Sequence, residues 1–369
     1  FVLEVGVEEM PARFLSSLDQ ELHDLFTLQL REAGLGVATI GTASTPRRLV
    51  VDIAGVAPLQ RTEEIVVSGP PARIAIDASG QPTKAGLGFA KSQNVTFDQI
   101  YVESTEKGDY LALKKVVGGR PAAEILAEVC ARVLPSLTFP KKMQWIGKDC
   151  TFGRPVRWIM AMLDDHVVPF SFAGLTSANK TRGHRVMGPG PFTVPHADRY
   201  AAILSEQGYV TLDRTLRKAV IQTGGDRLAA EAGGRVEWSP LLLDQVADLV
   251  ETPRPILGRF HEKFLDLPAE VLLTSMETHQ KSFGLRGPDG RLLPCFLTAA
   301  NIESREPGLV RKGWERVLRA RLEDARFFWE ADCAATFQGW LDKLDKVVFI
   351  GPLGTMGEKT RRLEKLAAS

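Results

Sequence analysis

"FVLEVGVEEMPARFLSSLDQELHDLFTLQL", residues 1–30, begins with an alternating apolar run that predicts a β-strand. Pro11 predicts the start of a helix, because proline is favoured at the first helical position. That helix is predicted to run to about Ala33 with one apolar stripe along it. The stripe consists of Leu15, Leu18, Leu22, Leu25 and Leu28. A second strand is predicted in RRLVVDIAGV, residues 47–56, so the chain opens with a β-α-β unit.

Two later stretches carry the signal of a β-hairpin, in which two strands are joined by a short turn. The first has Asp164-Asp165 at its turn, and the second has Asp289-Gly290. Helices are predicted in three further stretches: residues 121–137, most of 196–251, and Pro307 almost to the end. Together these elements predict a multidomain α+β fold with mixed antiparallel sheets.

The length of the chain, 369 residues, exceeds what one simple core supports, so several domains are expected. We predict a β-α-β unit, an α+β region with a basic hairpin, a helical segment with a β-hairpin, and the start of an all-helical domain. These segments are residues 1–67, 68–195, 196–304 and 305–369. Because the formal charge is only +1, any nucleic-acid surface must be a local patch.

No feature of the sequence predicts export or insertion into a membrane. The N-terminal stretch holds acids and no basic residue, and no uncharged apolar run approaches the ~20 residues that cross a bilayer. Four widely spaced cysteines without a Cys-x-x-Cys pair argue against disulfides or a zinc ribbon, so the expected location is the cytoplasm. The chain lacks an initiator Met and stops within a helical pattern, so we expect a fragment of a longer protein.

The strongest chemical signal is a basic region between Lys141 and Arg185. It holds eight Lys or Arg against three acids, an excess of five, with His184 in addition. Arginine interleaved with Trp145 and Trp158 suits phosphate contact and base stacking. The alternative is that both tryptophans belong to the core and the cations form a solvated rim. The predicted phosphate-facing cations are Lys141, Lys142, Arg154, Arg157, Lys180, Arg182 and Arg185; Lys148 completes the basic region.

WERVLRARLEDARFFWEAD, residues 314–332, predicts a long amphipathic helix. Its apolar stripe consists of Trp314, Leu318, Leu322, Ala325 and Trp329. Opposite charges lie four residues apart in two pairs, Arg319–Glu323 and Arg326–Glu330. A charged face turned to solvent explains most of this pattern. Arg316 and Arg319, with Lys312 before them, are also candidates for phosphate contact.

The sequence lacks the familiar devices for ATP binding, metal binding or nucleophilic catalysis. Residues 351–359, GPLGTMGEK, do not have the spacing of a P-loop, and a Gly-x-Ser-x-Gly elbow is absent. The six histidines include no His-x-x-x-His pair. We therefore predict no catalytic residue, metal or cofactor in this chain. METHQKSF, residues 276–283, places His279, Gln280 and Lys281 at a helix end, either to recognise a nucleotide or to cap the helix.

Eight stretches of the chain occur in an order that is typical of one family. They are VLEVGVEEMPARFL, TPRRLVV, GPPARIAIDASGQPTKAGLGFA, LTFPKKMQW, FGRPVRWIMAMLDDHVVPFSFAGLTSANKTRGHR, KFLDLPAEVLLTSMETHQKSF, LLPCFLTAANIES and WERVLRARLEDARFFWEAD. Together they resemble the beta subunit of bacterial heterotetrameric glycyl-tRNA synthetase, from residue 1 to about residue 354.

The resemblance implies a division of labour between two kinds of subunit. In that family the alpha subunit activates glycine with ATP and Mg, and the beta subunit binds glycine tRNA and is required to charge it. Two alpha and two beta chains assemble. The family's central region is similar to the B3/B4 domain of the phenylalanyl-tRNA synthetase beta subunit, and a helical domain of the metal-phosphohydrolase type follows it. The resemblance thus implies tRNA and subunit contacts, without a cofactor in this chain.

Two alternatives stay open at this point. The first is a scaffold that docks the catalytic subunit and never contacts RNA, and binding of tRNA to this chain distinguishes it. The second is an amino-acid editing domain, which the B3/B4 similarity suggests. Glycine is the smallest amino acid, so a tight pocket excludes larger ones and editing has little chemical motive.

Overall fold

The chain folds into two compact units in a computed structural model that describes residues 1–77, 79–147 and 150–369. Unit 1 comprises Phe1–Gly183 and Gly190–Gly208, and unit 2 comprises His184–Pro189 and Tyr209–Ser369. The predicted α+β class with antiparallel sheets is confirmed. The four segment borders and the B3/B4 similarity stay predictions.

Unit 1 contains strands β1 to β14 and helices α1 to α5. The strands are β1 (Val2–Val7), β2 (Thr39–Thr45), β3 (Arg48–Ala54), β4 (Glu63–Pro71), β5 (Tyr101–Thr105), β6 (Gly108–Val117), β7 (Met143–Ile146), β8 (Cys150–Phe152), β9 (Val156–Leu163), β10 (His166–Val167), β11 (Ser171–Phe172), β12 (Leu175–Thr176), β13 (Lys180–Thr181) and β14 (Phe192–Thr193). The helices are α1 (Ala12–Glu32), α2 (Ala72–Ala75), α3 (Lys84–Gln93), α4 (Ala122–Ser136) and α5 (Tyr200–Glu206), with 3-10 turns at Phe97–Gln99 and Ala197–Arg199.

The central sheet of unit 1 is antiparallel in the order β10-β9-β1-β3-β2. The predicted first strand, helix and second strand are present as β1, α1 and β3, and the hairpin at Asp164-Asp165, where Leu163 pairs with His166, is confirmed. The sequence did not predict β2. This strand is at the edge of the sheet and, apart from Ile40, consists of small and polar residues, which carry little periodic signal.

The main core of unit 1 lies between this sheet and helices α1 and α4. Leu15, Leu18 and Leu22 of the predicted stripe are buried, but Leu25 is only half-buried and Leu28 is exposed. The buried stripe continues instead through Phe26 and Leu30. Steps of three residues lag behind the helical repeat of 3.6, so Leu25 and Leu28 rotate out of the buried face.

A smaller sheet, in the order β4-β6-β5, packs with α2 and α3 at residues 63–117 of unit 1. Helix α3 begins at a conventional cap, since the Thr83 side chain accepts hydrogen bonds from the backbone N–H groups of Ala85 and Gly86. Lys107 occupies the exposed turn between β5 and β6.

Unit 2 contains strands β15 to β20 and helices α6 to α11. The strands are β15 (Arg235–Val236), β16 (Arg254–Arg259), β17 (Phe283–Arg286), β18 (Leu292–Ala300), β19 (Val348–Ile350) and β20 (Gly354–Thr355). The helices are α6 (Arg214–Glu231), α7 (Pro240–Ala247), α8 (Ala269–Thr274), α9 (Pro307–Ala334), α10 (Phe337–Lys343) and α11 (Met356–Ala368). Short turns of other kinds are a π-helical turn at Ser275–His279 and 3-10 turns at Glu262–Asp266, Leu344–Lys346 and Gly351–Leu353.

The sheet of unit 2 has the order β15-β17-β18-β16 and is covered on both faces. Side chains alternate across a strand, so Leu297 of β18 packs with α6 and α7 while the adjacent Phe296 packs with α9. The predicted hairpin at Asp289-Gly290 is confirmed as the turn between β17 and β18, where Arg286 pairs with Leu292.

The prediction of helix almost to the C-terminal end is wrong between residues 344 and 355. There the chain forms the short hairpin β19-β20, in which Val348 pairs with Thr355. Val347, Val348 and Ile350 are β-branched and favour strands, and Pro352 cannot continue a helix. Helix resumes in α11 behind a capping box between Thr355 and Glu358.

Candidate nucleic-acid interface

One end of the central sheet of unit 1 gathers basic residues that are far apart in the sequence. Arg48 of β3 pairs with Gly6 of β1, and Gly6 pairs with Trp158 of β9. The backbone beyond this row is tied together, since Val7 N–H donates to the Arg47 carbonyl at 2.8 Å and Glu8 N–H donates to the Pro155 carbonyl at 3.0 Å. Arg47, Arg154 and Arg157 therefore lie at one end of the sheet, called the basic end below.

A fully buried ion pair lies on the face of the sheet that is opposite α1 and α4. Glu4 and Arg48 both have no exposed side-chain surface, and Arg48 Nη1 is 2.8 Å from Glu4 Oε1. Arg48 Nε also donates to Thr45 Oγ1 at 3.2 Å. Two charges removed from water need such partners, because an uncompensated buried charge is strongly destabilising.

The buried pair also holds the chain segment that carries two of the predicted cations. Thr181 is buried and its hydroxyl donates to Glu4 Oε2. Arg48 Nη1 donates to the Arg182 carbonyl at 2.8 Å, and Arg47 Nη1 donates to the Gly183 carbonyl at 3.4 Å. Since Thr181 points inward in an extended segment, the neighbouring Lys180 and Arg182 point outward, and both are exposed.

The protonation chemistry of this cluster is governed by burial. Burial raises the pKa of the Glu4 carboxyl, while the Arg48 charge and the Thr181 hydroxyl act in the opposite direction. Burial also raises the pKa of the Tyr200 phenol well above its usual range, and the nearby Glu4 adds to the effect. The cluster is therefore a fixed polar support inside the unit, without a group that is exposed to a substrate.

The two tryptophans of the basic region are occupied by packing. Trp158 is 8% exposed and lies flat on Gly6, where an added Cβ would be 1.9 Å from Trp158 Cε2. The Arg47 and Arg48 guanidinium carbons lie 5.6 and 5.8 Å from the Trp158 ring centre. Trp145 is half-buried and packs against the main core. The alternative interpretation, in which Trp158 belongs to the core, is thus correct for this residue, and its ring offers no open face to a base.

Lys141 and Lys142 are exposed and lie between an aromatic cluster and strand β7. The Phe139 ring centre lies 4.6 Å from that of Phe152, and Lys142 Nζ lies 5.9 Å from the Phe139 ring centre. Phe139 also packs on Gly153, where a Cβ would be 2.4 Å from its ring. Because Gly153 immediately precedes Arg154, this packing brings Lys142 toward the basic end.

The remaining cations of the basic region in unit 1 differ in exposure and in whether their charge is paired. Arg154 is half-buried and Nη1 donates to the Gly153 carbonyl at 2.8 Å. Arg157 is exposed but pairs with Glu8 at 3.3 Å, which offsets its charge. Lys180 and Arg182 form no ion pair with any residue in the described ranges. Lys148 and Asp149 lie outside the described residues.

In unit 2, Arg185 is exposed next to a buried histidine. His184 Nδ1 accepts hydrogen bonds from the backbone of Val186 and Met187, so its ring carries a proton on Nε2 and donates it to the Asn301 carbonyl at 2.7 Å. His184 is therefore a structural residue and does not add to the basic surface.

Arg316 and Arg319 are exposed on helix α9, on the same side as Lys312. The predicted pair Arg319–Glu323 does not form, because Glu323 accepts from Lys263 Nζ at 2.6 Å instead. The predicted pair Arg326–Glu330 is confirmed, at 2.7 Å.

The sequence matches the model of a family described as "Glycyl-tRNA synthetase beta subunit" over residues 1–369. The chain belongs to this family. It is 55% identical over 366 residues to the glycine–tRNA ligase beta subunit of Oleidesulfovibrio alaskensis, covering 99% of this chain and 53% of the relative. For the relative of the same name from Nitratidesulfovibrio vulgaris strain Miyazaki F, the identity is 53% over 368 residues, with 100% and 52% covered. The chain thus spans about half the length of these curated relatives.

Two stretches that carry the family resemblance meet inside unit 2. His184, from the TRGHR stretch, binds the carbonyl of Asn301, from the NIES stretch. The Asn301 side-chain oxygen also accepts from the backbone N–H groups of Glu251 and Thr252 at 2.8 and 3.0 Å. These family residues therefore join three chain segments, which is a structural role.

The METHQKSF stretch of the family contains the π-helical turn, a rare form that is frequent at functional sites. His279 is exposed at its end, and Lys281 has a left-handed backbone, with φ of 52°. The predicted helix end is confirmed at this position, but the residue pattern did not predict the π-turn. Nucleotide recognition and helix capping by His279, Gln280 and Lys281 both stay predictions.

The sequence patterns did not identify the buried cluster of Glu4, Arg48 and Thr181. A signal was present for the first, since Glu4 interrupts an otherwise apolar strand, VLEVGV, and a buried charge requires a partner. The sequence alone does not say which of the many basic residues is that partner.

A second buried cluster lies in unit 2 and serves the fold. Arg217 is fully buried and donates to the carbonyls of Ala247, Thr211 and Leu212 at 2.7–2.9 Å. Burial raises the pKa of Asp248, and the neighbouring Arg214, 2.7 Å away, opposes this shift. Because the arginine satisfies backbone groups, this cluster holds α6 and α7 together and presents no charge to a ligand.

Neither a membrane span nor a metal cluster is found where the structure is described. Each helix in residues 1–77, 79–147 and 150–369 is too short or too polar to cross a bilayer. In the same ranges, His, Cys, Asp and Glu side chains do not come together in threes as a metal site would require.

Proposed function

We propose that this chain forms the tRNA-binding half of the beta subunit of glycine–tRNA ligase. In the proposed enzyme, two alpha and two beta subunits attach glycine to its tRNA, and the alpha subunit uses ATP and Mg to activate glycine. This chain contributes contacts with the acceptor side of the tRNA and with the other subunits. Family membership supports the assignment.

The main support for RNA binding is the basic end of unit 1. Arg47, Arg154 and Arg157 lie there, and Lys142 and residues 180–182 are held next to them, although the whole chain has a charge of only +1. Lys180 and Arg182 keep their charge unpaired within the described residues, and a buried network fixes the backbone that carries them. Arginine binds phosphate through two parallel hydrogen bonds, which suits an RNA backbone.

The proposal is tested by a salt series of tRNA binding to this chain, with glycine tRNA and an unrelated tRNA compared. Phosphate contacts release counterions, so the logarithm of the binding constant should fall linearly with the logarithm of salt concentration. Because these contacts do not read sequence, the affinity should be similar for both tRNAs. Absence of binding to either tRNA at low salt would overturn the proposal.

Replacing Arg182 or Arg185 with alanine is expected to weaken tRNA binding and to lower the salt slope. Each lost phosphate contact should reduce the slope by about 0.7–0.9 units. The matched control is Lys107→Ala, which removes an exposed cation from the β5–β6 turn of unit 1. Salt slopes that stay at the unmodified value in both arginine variants would remove these two residues from the interface.

A second candidate function is docking of another subunit, and one observation favours it. Helix α9 of unit 2 exposes the adjacent rings of Phe327 and Phe328, and α10 exposes those of Phe337 and Trp340. Phe337 is 85% exposed, and exposed apolar groups of this size are typical of interaction sites. Docking without RNA contact would leave tRNA binding undetectable and association with the alpha subunit intact.

A further inference from the structure

The segment of residues 180–183 in unit 1 is held by hydrogen bonds that differ from those of an ordinary surface strand. Lys180 and Thr181 pair with β14, and the chain then leaves that ladder. Its next anchors are a carboxylate and two guanidinium groups, from Glu4, Arg48 and Arg47. Thus buried charged side chains, and not a neighbouring strand, fix the backbone at Arg182.

We propose that Thr181 and the buried Glu4–Arg48 pair are positioning groups for Arg182, and that they hold its backbone so that its exposed side chain meets an RNA phosphate. This inference rests on the proposed RNA binding and assigns a role to residues that do not touch RNA themselves. The ligand class is the phosphodiester backbone, which the planar guanidinium recognises through its geometry.

The inference rests on how hydrogen bonds connect Glu4, Arg48 and Thr181 to the Arg182 carbonyl. A single guanidinium, that of Arg48, donates both to Glu4 and to the Arg182 carbonyl. Thr181 binds the other oxygen of the same carboxylate. The peptide unit between Thr181 and Arg182 is thus fixed on both sides by one ion pair.

The exposure pattern agrees with a positioning role. Thr181 and Gly183 are buried, whereas Lys180 and Arg182 are exposed. The positive charges therefore stand on an ordered backbone and are not engaged in ion pairs within the described ranges. A backbone that is already fixed loses less conformational entropy when RNA binds. The buried groups can therefore strengthen the contact between Arg182 and phosphate without touching the RNA.

The test is a double-mutant cycle of tRNA binding in the full chain, with Thr181→Val and Arg182→Ala made singly and together. Valine has nearly the shape of threonine but cannot donate to Glu4. Thr181→Val is expected to weaken binding about threefold to tenfold, a coupling typical of residues in contact, and to have little further effect when Arg182 is already alanine. Thr181→Ser keeps the hydroxyl and should restore binding.

A matched control separates positioning from a general loss of stability. Ser177→Ala removes another buried hydroxyl of unit 1, which donates to the Val168 carbonyl at 2.7 Å and accepts from the Phe170 backbone N–H. This variant should leave tRNA affinity and salt slope unchanged even if it lowers the melting temperature as much as Thr181→Val does.

The outcomes distinguish this inference from the proposed function. If Thr181→Val weakens binding equally with and without Arg182, or if Ser177→Ala weakens it as much, the positioning role is overturned while RNA binding stands. If Thr181→Val has no effect although Arg182→Ala does, Arg182 contacts RNA without this support. If the unmodified chain binds no tRNA at low salt, the proposed function fails and this inference fails with it.

Discussion

Replacing Arg48 with methionine is expected to lower the free energy of unfolding by about 3–5 kcal/mol, the range for breaking a buried ion pair by removing one partner. Arg48 has no exposed side-chain surface, and its guanidinium donates to Glu4, to Thr45 and to the Arg182 carbonyl. The variant leaves the Glu4 carboxylate in the interior without its opposite charge. Urea-induced unfolding, followed by circular dichroism, measures the loss.

The matched control replaces both partners, Glu4 and Arg48, with methionine. A buried ion pair that is exchanged for apolar residues is often neutral or stabilising, because the desolvation of both charges is avoided. The double variant should therefore recover part of the lost stability. It should not recover tRNA affinity, because the Arg182 carbonyl and the Thr181 hydroxyl still lack their partners. A loss below about 1 kcal/mol in Arg48→Met alone, as for an exposed ion pair, would contradict this account of the cluster.

The pH dependence of stability supplies an independent signature of the same pair. Burial raises the pKa of Glu4 above its usual value of 4.5, and Arg48 opposes that shift. The folded state then holds the proton more tightly than the unfolded state, so this group favours folding at low pH and its contribution is lost as pH rises through the raised pKa. Without Arg48 the pKa rises further, so stability should fall more steeply with pH above 4.5 in Arg48→Met than in the unmodified chain.

Replacing Leu322 with alanine is expected to lower the free energy of unfolding of unit 2 by about 2–5 kcal/mol, as for other leucines that leave a cavity in a core. Leu322 is fully buried on α9 and shares a hydrophobic cluster with Phe264, Met276 and Phe296. Its loss removes packing between the helix and one face of the sheet. Chemical denaturation followed by circular dichroism, together with hydrogen exchange of the α9 peptides, measures the effect.

The same helix provides a control of the same residue type. Leu309 lies near the start of α9 and is 60% exposed, so Leu309→Ala should change stability by no more than about 0.5 kcal/mol. Equal losses in the two variants would mean that α9 is not anchored through Leu322. Trp329 lies four residues from the half-buried Ala325 and is 40% exposed. The loss of unfolding free energy in Trp329→Ala is therefore expected to lie between those of Leu309→Ala and Leu322→Ala.

The fold was predictable where the pattern of a short stretch decides the structure. Both hairpins have the turn at the position predicted from the sequence, because turn residues between apolar runs are a local signal. The turn at Asp164-Asp165 has two residues, whereas Asp289-Gly290 lies within a loop of residues 287–291. The first helix runs from Ala12 to Glu32 as expected, because Pro11 and a dense apolar stripe specify it. Edge strand β2 and hairpin β19-β20 escaped prediction, since short strands in polar or mixed surroundings have weak periodicity.

The amphipathic helix at residues 314–332 shows how well the apolar repeat predicts which residues are buried. Its stripe correctly marks Leu318 and Leu322 as core residues. Further along, Trp329 is exposed and Phe327 and Phe328 lie open to solvent, because no described element covers that part of the helix. A repeat identifies the apolar side of a helix, but burial depends on whether a partner is present along its whole length.

By itself the sequence determined the family, the α+β class, the basic composition of residues 141–185 and the lack of a recognisable ATP-binding motif, because these depend on the types and order of residues. Only the tertiary structure decided which cations lie close together in space. Pairing among β1, β3 and β9 brings residues 4, 48 and 158 into one cluster, and the chain returns at residue 181 to complete it. Burial of opposite charges requires contact in space, and spacing along the chain does not encode that contact.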